Sequence, residues 1–180
     1  MPHGEDKRPD PERPQAGQAI SNYDRKELAV QNFFVVPKHF FVREIIQERG
    51  PLAQTARRAG WIGSHILLNK IPHSGKIYLV REGTIEPKDS VLKQWKSTLF
   101  LRDQRQDARG WLIDVMRCVE AIGKPEFQID DVYAFEEQLA RLYPENKNVK
   151  PKIRQQLQFL RDRGYLDFVS RGYYRLRSRD

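Results

Sequence analysis

Sulfur is scarce in this chain: 180 residues contain one cysteine, Cys118, and two methionines. A lone cysteine excludes an intramolecular disulfide and a CxxC zinc site, so folding asks for no oxidising compartment. No apolar run approaches the roughly 20 residues that cross a bilayer. The opening MPHGEDKRPDPERPQAGQ lacks the apolar stretch of a signal peptide. The expectation is a soluble, cytoplasmic protein with no membrane partner. Catalytic constellations are equally thin. His3, His39, His65 and His73 show no HxxxH or cysteine-containing ligand spacing, and no Ser or Cys sits in a nucleophile motif. Pro9-Asp10 with Asp24-Arg25-Lys26 formally fits PD…(D/E)xK, where two carboxylates hold a divalent metal and the lysine polarises a water. That pattern is short and falls in or beside a polar stretch, whereas the chemistry needs the second carboxylate on a buried strand. We therefore assign no catalytic and no metal-binding residue, and expect no cofactor.

What the chain has is positive charge, +8 overall, and unevenly spread. Residues 146–180 hold 10 basic side chains against 3 acidic, and residues 41–100 hold 10 against 5. Residues 101–145 run the other way, with 6 basic and 10 acidic. Local asymmetry of this kind is the footprint of a face that meets nucleic acid.

Residues 1–19 carry four prolines and, besides Met1, only Ala16 and Ala19 as apolar residues. Such a stretch cannot offset its ordering entropy, which predicts a disordered tail over 1–22. Phe33–Val36 and Lys76–Val80 read as buried strands, Val42–Arg49 as a short helix stopped by Gly50-Pro51, and Pro87 to about Leu101 as a helix. A mixed α and β region thus spans 23–101. The charged run RDQRQDAR reads as a linker, over 102–108. From 109 to 180 the pattern is cleaner. Asp107 is placed to cap a helix with Trp111, Val115, Cys118 and Ile122 inward. Asp130 is placed to cap a second, with Val132, Phe135, Leu139 and Leu142 inward, and Asn148 a third, with Ile153, Leu157 and Leu160 inward. Gly164 closes the third helix, and Tyr165–Leu176 folds back as a hairpin turning at Ser170-Arg171-Gly172. Three helices followed by a basic hairpin describe a winged helix-turn-helix.

In that arrangement the third helix turns Gln155 and Gln158 outward, flanked by Lys152, Arg154 and Arg161. Glutamine pairs with the N6/N7 edge of adenine in the major groove, while Arg and Lys take phosphates. The wing supplies Arg171, Arg175, Arg177 and Arg179 interleaved with Tyr173 and Tyr174 for backbone contact. A solvated charged helix in a protein-binding winged helix is the alternative. Upstream, Arg57-Arg58-Ala59-Gly60-Trp61-Ile62-Gly63 sets an indole between glycines beside paired arginines. Trp61 is suited to wedge or stack against bases, or else to pack on the Phe33–Val36 sheet.

Phe34–Phe40 (FVVPKHF), Pro51–Gly63 (PLAQTARRAGWIG), Leu99–Arg102, Arg109–Trp111 and Lys152–Asp162 closely resemble the Dam-replacing (DpnI-type) family of methyl-directed type II restriction endonucleases, from about Tyr23 to Leu176. The resemblance implies an α+β chain: the C-terminal part of a PD-(D/E)xK nuclease-like domain, then a winged helix-turn-helix domain. It implies double-stranded DNA as partner, with adenine-methylated GATC as the site, and makes Trp61 a DNA-contacting aromatic. Family members hold Mg²⁺ and a structural zinc. Their CxxC…CxxC segment and (D/E)xK strand precede the stretch matching Tyr23, and Asp24-Arg25-Lys26 aligns with the loop after that strand. The chain is thus expected to act as a monomer that binds methylated GATC without cutting it, the alternative being a non-catalytic winged-helix DNA-binding or regulatory protein. Reading the methyl requires apolar surface in the major groove, for which Trp61, Phe159, Tyr173 and Tyr174 are available. A further expectation is a looser region upstream of the winged helix, because its strands lack neighbours.

Overall fold

The computed structural model describes residues 17–24 and 29–177. Most of the expected tail, like Arg25, Lys26 and Arg179, lies outside them. Its end does not behave as a tail: Gln18–Asp24 form β1, antiparallel to β2 (Ala29–Val36). The strand is polar, so its order comes from backbone pairing rather than burial, with Ile20 its anchor on the core. Pro37 ends β2. The expected helix over Val42–Arg49 is absent. Arg43–Ile45 make one 3-10 turn, and Ile46–Glu48 (β3) pair with Ser64–Ile66 (β4). Val42, Ile45 and Ile46 are β-branched and stiff at χ1, which favours the extended form once a partner strand exists. Ile77–Arg81 (β5) and Thr84–Ile85 (β6) complete a four-stranded antiparallel sheet in the order β1-β2-β5-β6.

Helix α1 (Lys88–Ser97) ends earlier than its apolar spacing predicts. Buried Thr98 donates its hydroxyl to the Trp95 carbonyl at 3.2 Å and meets His39 Nε2 at 3.1 Å, and Leu99–Leu101 continue as a 3-10 turn. The charged run 102–109 is shorter as a connection than its composition predicts. Helix α2 (Gln106–Ala121) begins inside it with extended Arg105 at the N-cap, and Asp107 sits in the first turn rather than at the cap.

α2 is buried on nearly every side. Trp111, Val115 and Cys118 face inward as expected, but Leu112, Ile113, Met116 and Val119 are also no more than 2% exposed. A helix that is apolar all round must be covered all round. The cover comes from both directions in the chain. One hydrophobic cluster joins Val36, Phe40, Ile45 and Leu101 from upstream with Ile153, Leu157 and Leu160 from downstream. The expectation of a looser upstream region overlooked this second face. Polar pins reinforce the junction. Glu120 accepts backbone N–H bonds from His73 and Ser74, the latter at 3.0 Å, and a hydroxyl bond from Tyr165 at 2.8 Å.

Buried Asp114 accepts from the Tyr143 hydroxyl at 2.7 Å and pairs with Arg117 at 3.1 Å. The Tyr143 ring stacks on Trp111 with centroids 4.0 Å apart. Desolvation raises the Asp114 carboxyl above its ordinary range, partly countered by the Tyr143 bond and Arg117.

After α2, Glu126–Gln128 form β7. The second helix is two short pieces, α3 (Ile129–Tyr133) and α4 (Glu136–Leu142), broken at Ala134-Phe135. Its cap is Gln128, whose N–H donates to Asp131 at 2.8 Å, so Asp130 is not the capping residue. Then come α5 (Val149–Asp162), β8 (Leu166–Ser170) and β9 (Tyr173–Leu176), and the last sheet has the order β7-β9-β8.

Glu120→Ala strands two backbone donors at the junction and should cost about 1–3 kcal/mol in urea unfolding. His39 is 5% exposed, and burial, with Arg109 and Arg102 nearby, lowers its pKa from 6.5 to about 4. The unfolded chain therefore takes up a proton below pH 6.5 that the folded chain refuses. Stability contributed by neutral His39 is complete above 6.5 and is lost as pH falls toward 4, by about 3 kcal/mol. Urea titrations at pH 7, 5.5 and 4.5 should show His39→Gln, which keeps a partner for Thr98, losing less than wild type over that interval.

Candidate nucleic-acid interface

α5 is built to show one face. Its stripe of Ile153, Leu157 and Leu160 is fully buried, with Gln156 buried beside it. Asn146 accepts the Asn148 N–H at 2.8 Å and so sets the start. The end is a Schellman motif. Gly164 has φ +70, its N–H donates to the Arg161 carbonyl at 2.9 Å, and the Tyr165 N–H reaches back to Leu160 at 2.9 Å. A Cβ-bearing residue is strained at that φ, so glycine lets the chain turn straight into β8.

The face left outside holds Arg154, Gln155 and Gln158, all exposed, with Lys152 and Arg161 half-buried at its margins. Lys152 Nζ donates to Gln155 Oε1 at 2.8 Å, holding that amide on the helix surface. Arg154 Nε donates to the Tyr133 hydroxyl at 2.5 Å, and both Arg154 and Lys150 lie against the Tyr133 ring. Arg161 pairs with its neighbour Asp162 at 2.8 Å. Among the described residues the Gln158 side chain makes no hydrogen bond, and it is exposed.

On the wing, Arg171 is exposed at the hairpin turn beside Gly172, which has φ +80. Arg175 pairs with Glu126 across β7 and β9 at 2.6 Å, and Arg177 with Asp167 at 2.5 Å. The Arg177 hydrogen bond, with the Arg177 and Arg175 charges beside it, holds the Asp167 carboxyl below its ordinary range. The two tyrosines part company. Tyr173 is 43% exposed, its hydroxyl accepting from Gln128 Nε2 at 2.6 Å. Tyr174 is 7% exposed and stacks on Phe127, with centroids 5.8 Å apart, so its ring is a core residue and not a wing contact. β9 alternates, and the pairing of Tyr174 with Phe127 fixes which side is inward. Exposed Phe168 and Val169, at a bulge in β8, offer apolar surface that charge patterning did not reveal. Tyr133, Lys150, Gln128 and Glu126 were also missed. Each acts by contact with a residue distant in sequence, so only α3 and β7 placement exposes them.

Trp61 sits in the loop of the β3–β4 hairpin. It is 52% exposed and is not among the residues that form or pack against the hydrophobic core, which include Phe34 and Val36. The loop is tied across its neck by Arg49 N–H to the Gly63 carbonyl at 2.9 Å and Leu52 N–H to the Trp61 carbonyl at 3.0 Å. Its indole lies over Gly63, where an added Cβ would stand 2.9 Å from the ring. Arg57 and Arg58 are exposed on the same loop, and among the described residues neither meets a carboxylate. The structure thus gathers the wing and α5 candidates into one helix-plus-hairpin unit, and presents the Trp61 loop as a separate element of the upstream part.

Residues 17–104 match the model of the Dam-replacing family, and residues 107–176 match the Dam-replacing HTH domain. The chain belongs to the Dam-replacing family. As a Dam-replacing protein with a helix-turn-helix domain it is a restriction-related, DNA-binding chain of mixed helix and strand, and its partner is double-stranded DNA. Among the described residues no helix is long and apolar enough to cross a membrane.

Among the described residues no three His, Cys, Asp or Glu side chains converge. Buried Cys118 has its thiol pushed up to about 12 by desolvation, which disfavours the thiolate that zinc requires.

The Dam-replacing winged helix separates cations already neutralised from cations still free. Arg171→Ala should weaken all duplexes alike and reduce the slope of log affinity against log salt by about 1. Arg175→Ala should change that slope less, because Glu126 already compensates its charge. Salt titrations by fluorescence anisotropy on one duplex compare the two.

Proposed function

We propose that this chain binds double-stranded DNA at GATC sites carrying methylated adenine, as the methyl-reading portion of a methyl-directed type II restriction endonuclease. The observation that carries the reading is the half-exposed indole of Trp61, held by a tied loop between two exposed arginines and exposed Ile62. An adenine methyl group adds apolar surface in the major groove, and a rigid aromatic with cations alongside meets both the methyl and the neighbouring phosphates. Gln155 and Gln158 on α5 supply amides for the adenine N6/N7 edge, and Tyr173 with Phe168 adds apolar contact from the wing. Tyr174 has no part in it.

In this reading residues 17–104 form the rear of a PD-(D/E)xK nuclease-like domain, with the β1-β2-β5-β6 sheet against α1, and residues 107–176 form the winged helix. Both read the site, and one protomer suffices. Methyl recognition is the activity assigned to these residues.

Anisotropy titrations with otherwise identical duplexes bearing methylated or unmethylated GATC test the reading. Methylated DNA should bind at least about tenfold more tightly, a difference of about 1.4 kcal/mol. Trp61→Ala should erase most of that preference, whereas Gln155→Ala should relax sequence preference on methylated DNA. Equal affinity of the wild-type protein for both duplexes overturns the proposal.

A further inference from the structure

Besides the DNA-reading elements, the upstream part contains a cavity of about 320 Å³ where β2's exit, the end of α1 and the start of α2 converge. Its apolar walls are Phe41, Trp95 and Leu99, and its charged walls are Lys38, Arg102 and Arg109. Among the described residues no carboxylate lines it, and Arg102 also pairs with its neighbour Asp103 at 3.7 Å. His39 completes the wall, buried, with its ring 6.1 Å from that of Trp95 and its Nε2 on Thr98. Burial and the two nearby guanidinium groups keep that ring neutral.

Arg109 is the telling residue. Its Nε is fully buried and makes no hydrogen bond. A buried donor without a partner costs about 1–3 kcal/mol, more when it is charged, so its presence beside a cation-lined cavity points to a polar or anionic occupant there. Three cations facing aromatic walls favour a ligand with an anion at one end and a flat ring at the other. A volume of this size falls within the range of small-ligand sites. Phe41 also lines a second groove, whose other wall is Trp61 and Ile62 of the β3–β4 loop. The cation-lined cavity is therefore a neighbour of the proposed methyl-reading loop.

We propose that this cavity binds a single nucleotide unit, its phosphate on Arg109, Arg102 and Lys38 and its base against Trp95 and Phe41. The unit is either a free mononucleotide or an unpaired nucleotide of a DNA strand held elsewhere on the protein. The base gains stacking and the phosphate charge-assisted bonds, the two contacts that single-strand binders combine. The site does not depend on the methyl-reading proposal, and its test uses a ligand without GATC.

Isothermal titration of the full chain with dAMP, deoxyadenosine and inorganic phosphate is the experiment. dAMP should bind saturably and more tightly than either part alone. Arg109→Gln should weaken it about tenfold, and so should Lys38→Gln, at an exposed position where the fold is not at risk. A duplex with a single-stranded overhang that competes with dAMP, while a dumbbell duplex with closed ends does not, identifies a strand nucleotide as the occupant. If neither competes, a free mononucleotide is the occupant. Absence of saturable dAMP binding, binding no tighter than phosphate alone, or binding untouched by both substitutions overturns the proposal.

Discussion

The rest of the structure depends on the burial of α2 from two directions. A surface helix of a winged helix domain needs one apolar stripe. This one has apolar residues around most of its circumference, and Met116 and Val115 are both fully buried. Neither the upstream sheet nor the downstream helices can cover it alone. The two halves are thereby obliged to meet on a shared helix, and Glu120 and the Asp114–Tyr143–Arg117 group fasten polar seams on either side of it. A short charged connection suffices because the parts are held by packing rather than by a tether.

Much of the winged helix is legible in the sequence because its signals are local. The Ile153, Leu157, Leu160 stripe sits at helical spacing, Gly164 stands where a left-handed residue is needed, and Gly172 turns the hairpin. What failed was what depends on distant partners. Ile46–Glu48 is a strand only because Ser64–Ile66 returns beside it after a long loop. Adjacent Tyr173 and Tyr174 look alike in the sequence, and only pairing with Gln128 and Phe127 decides which is wet. The second helix breaks at Ala134-Phe135 although its apolar spacing continues across the break.

The candidate site shows the same division. Gln155, Gln158, Arg154 and Arg171 were identifiable from helix faces and turn position, and they are exposed. Trp61 was identifiable from its glycines and arginines, and Gly63 explains its neighbour: the indole occupies space that any Cβ there would contest. The cavity with Lys38, Arg102 and Arg109 was not legible, since those residues come from three elements that meet only in the folded chain. Nor could composition show which charges are already satisfied. That depends on Glu126 and Asp167 lying opposite Arg175 and Arg177 in the finished sheet.

Those two wing pairs have a kinetic meaning. Glu126 and Asp167 neutralise Arg175 and Arg177 within the sheet, so part of the positive charge at this end of the chain is compensated internally. A net charge of +8 would otherwise promise strong long-range attraction to a duplex. Part of that attraction is cancelled by the protein's own carboxylates, and any anion that engages Arg175 or Arg177 must compete with them. The long-range field of this end of the chain is thus weaker than its count of basic residues implies.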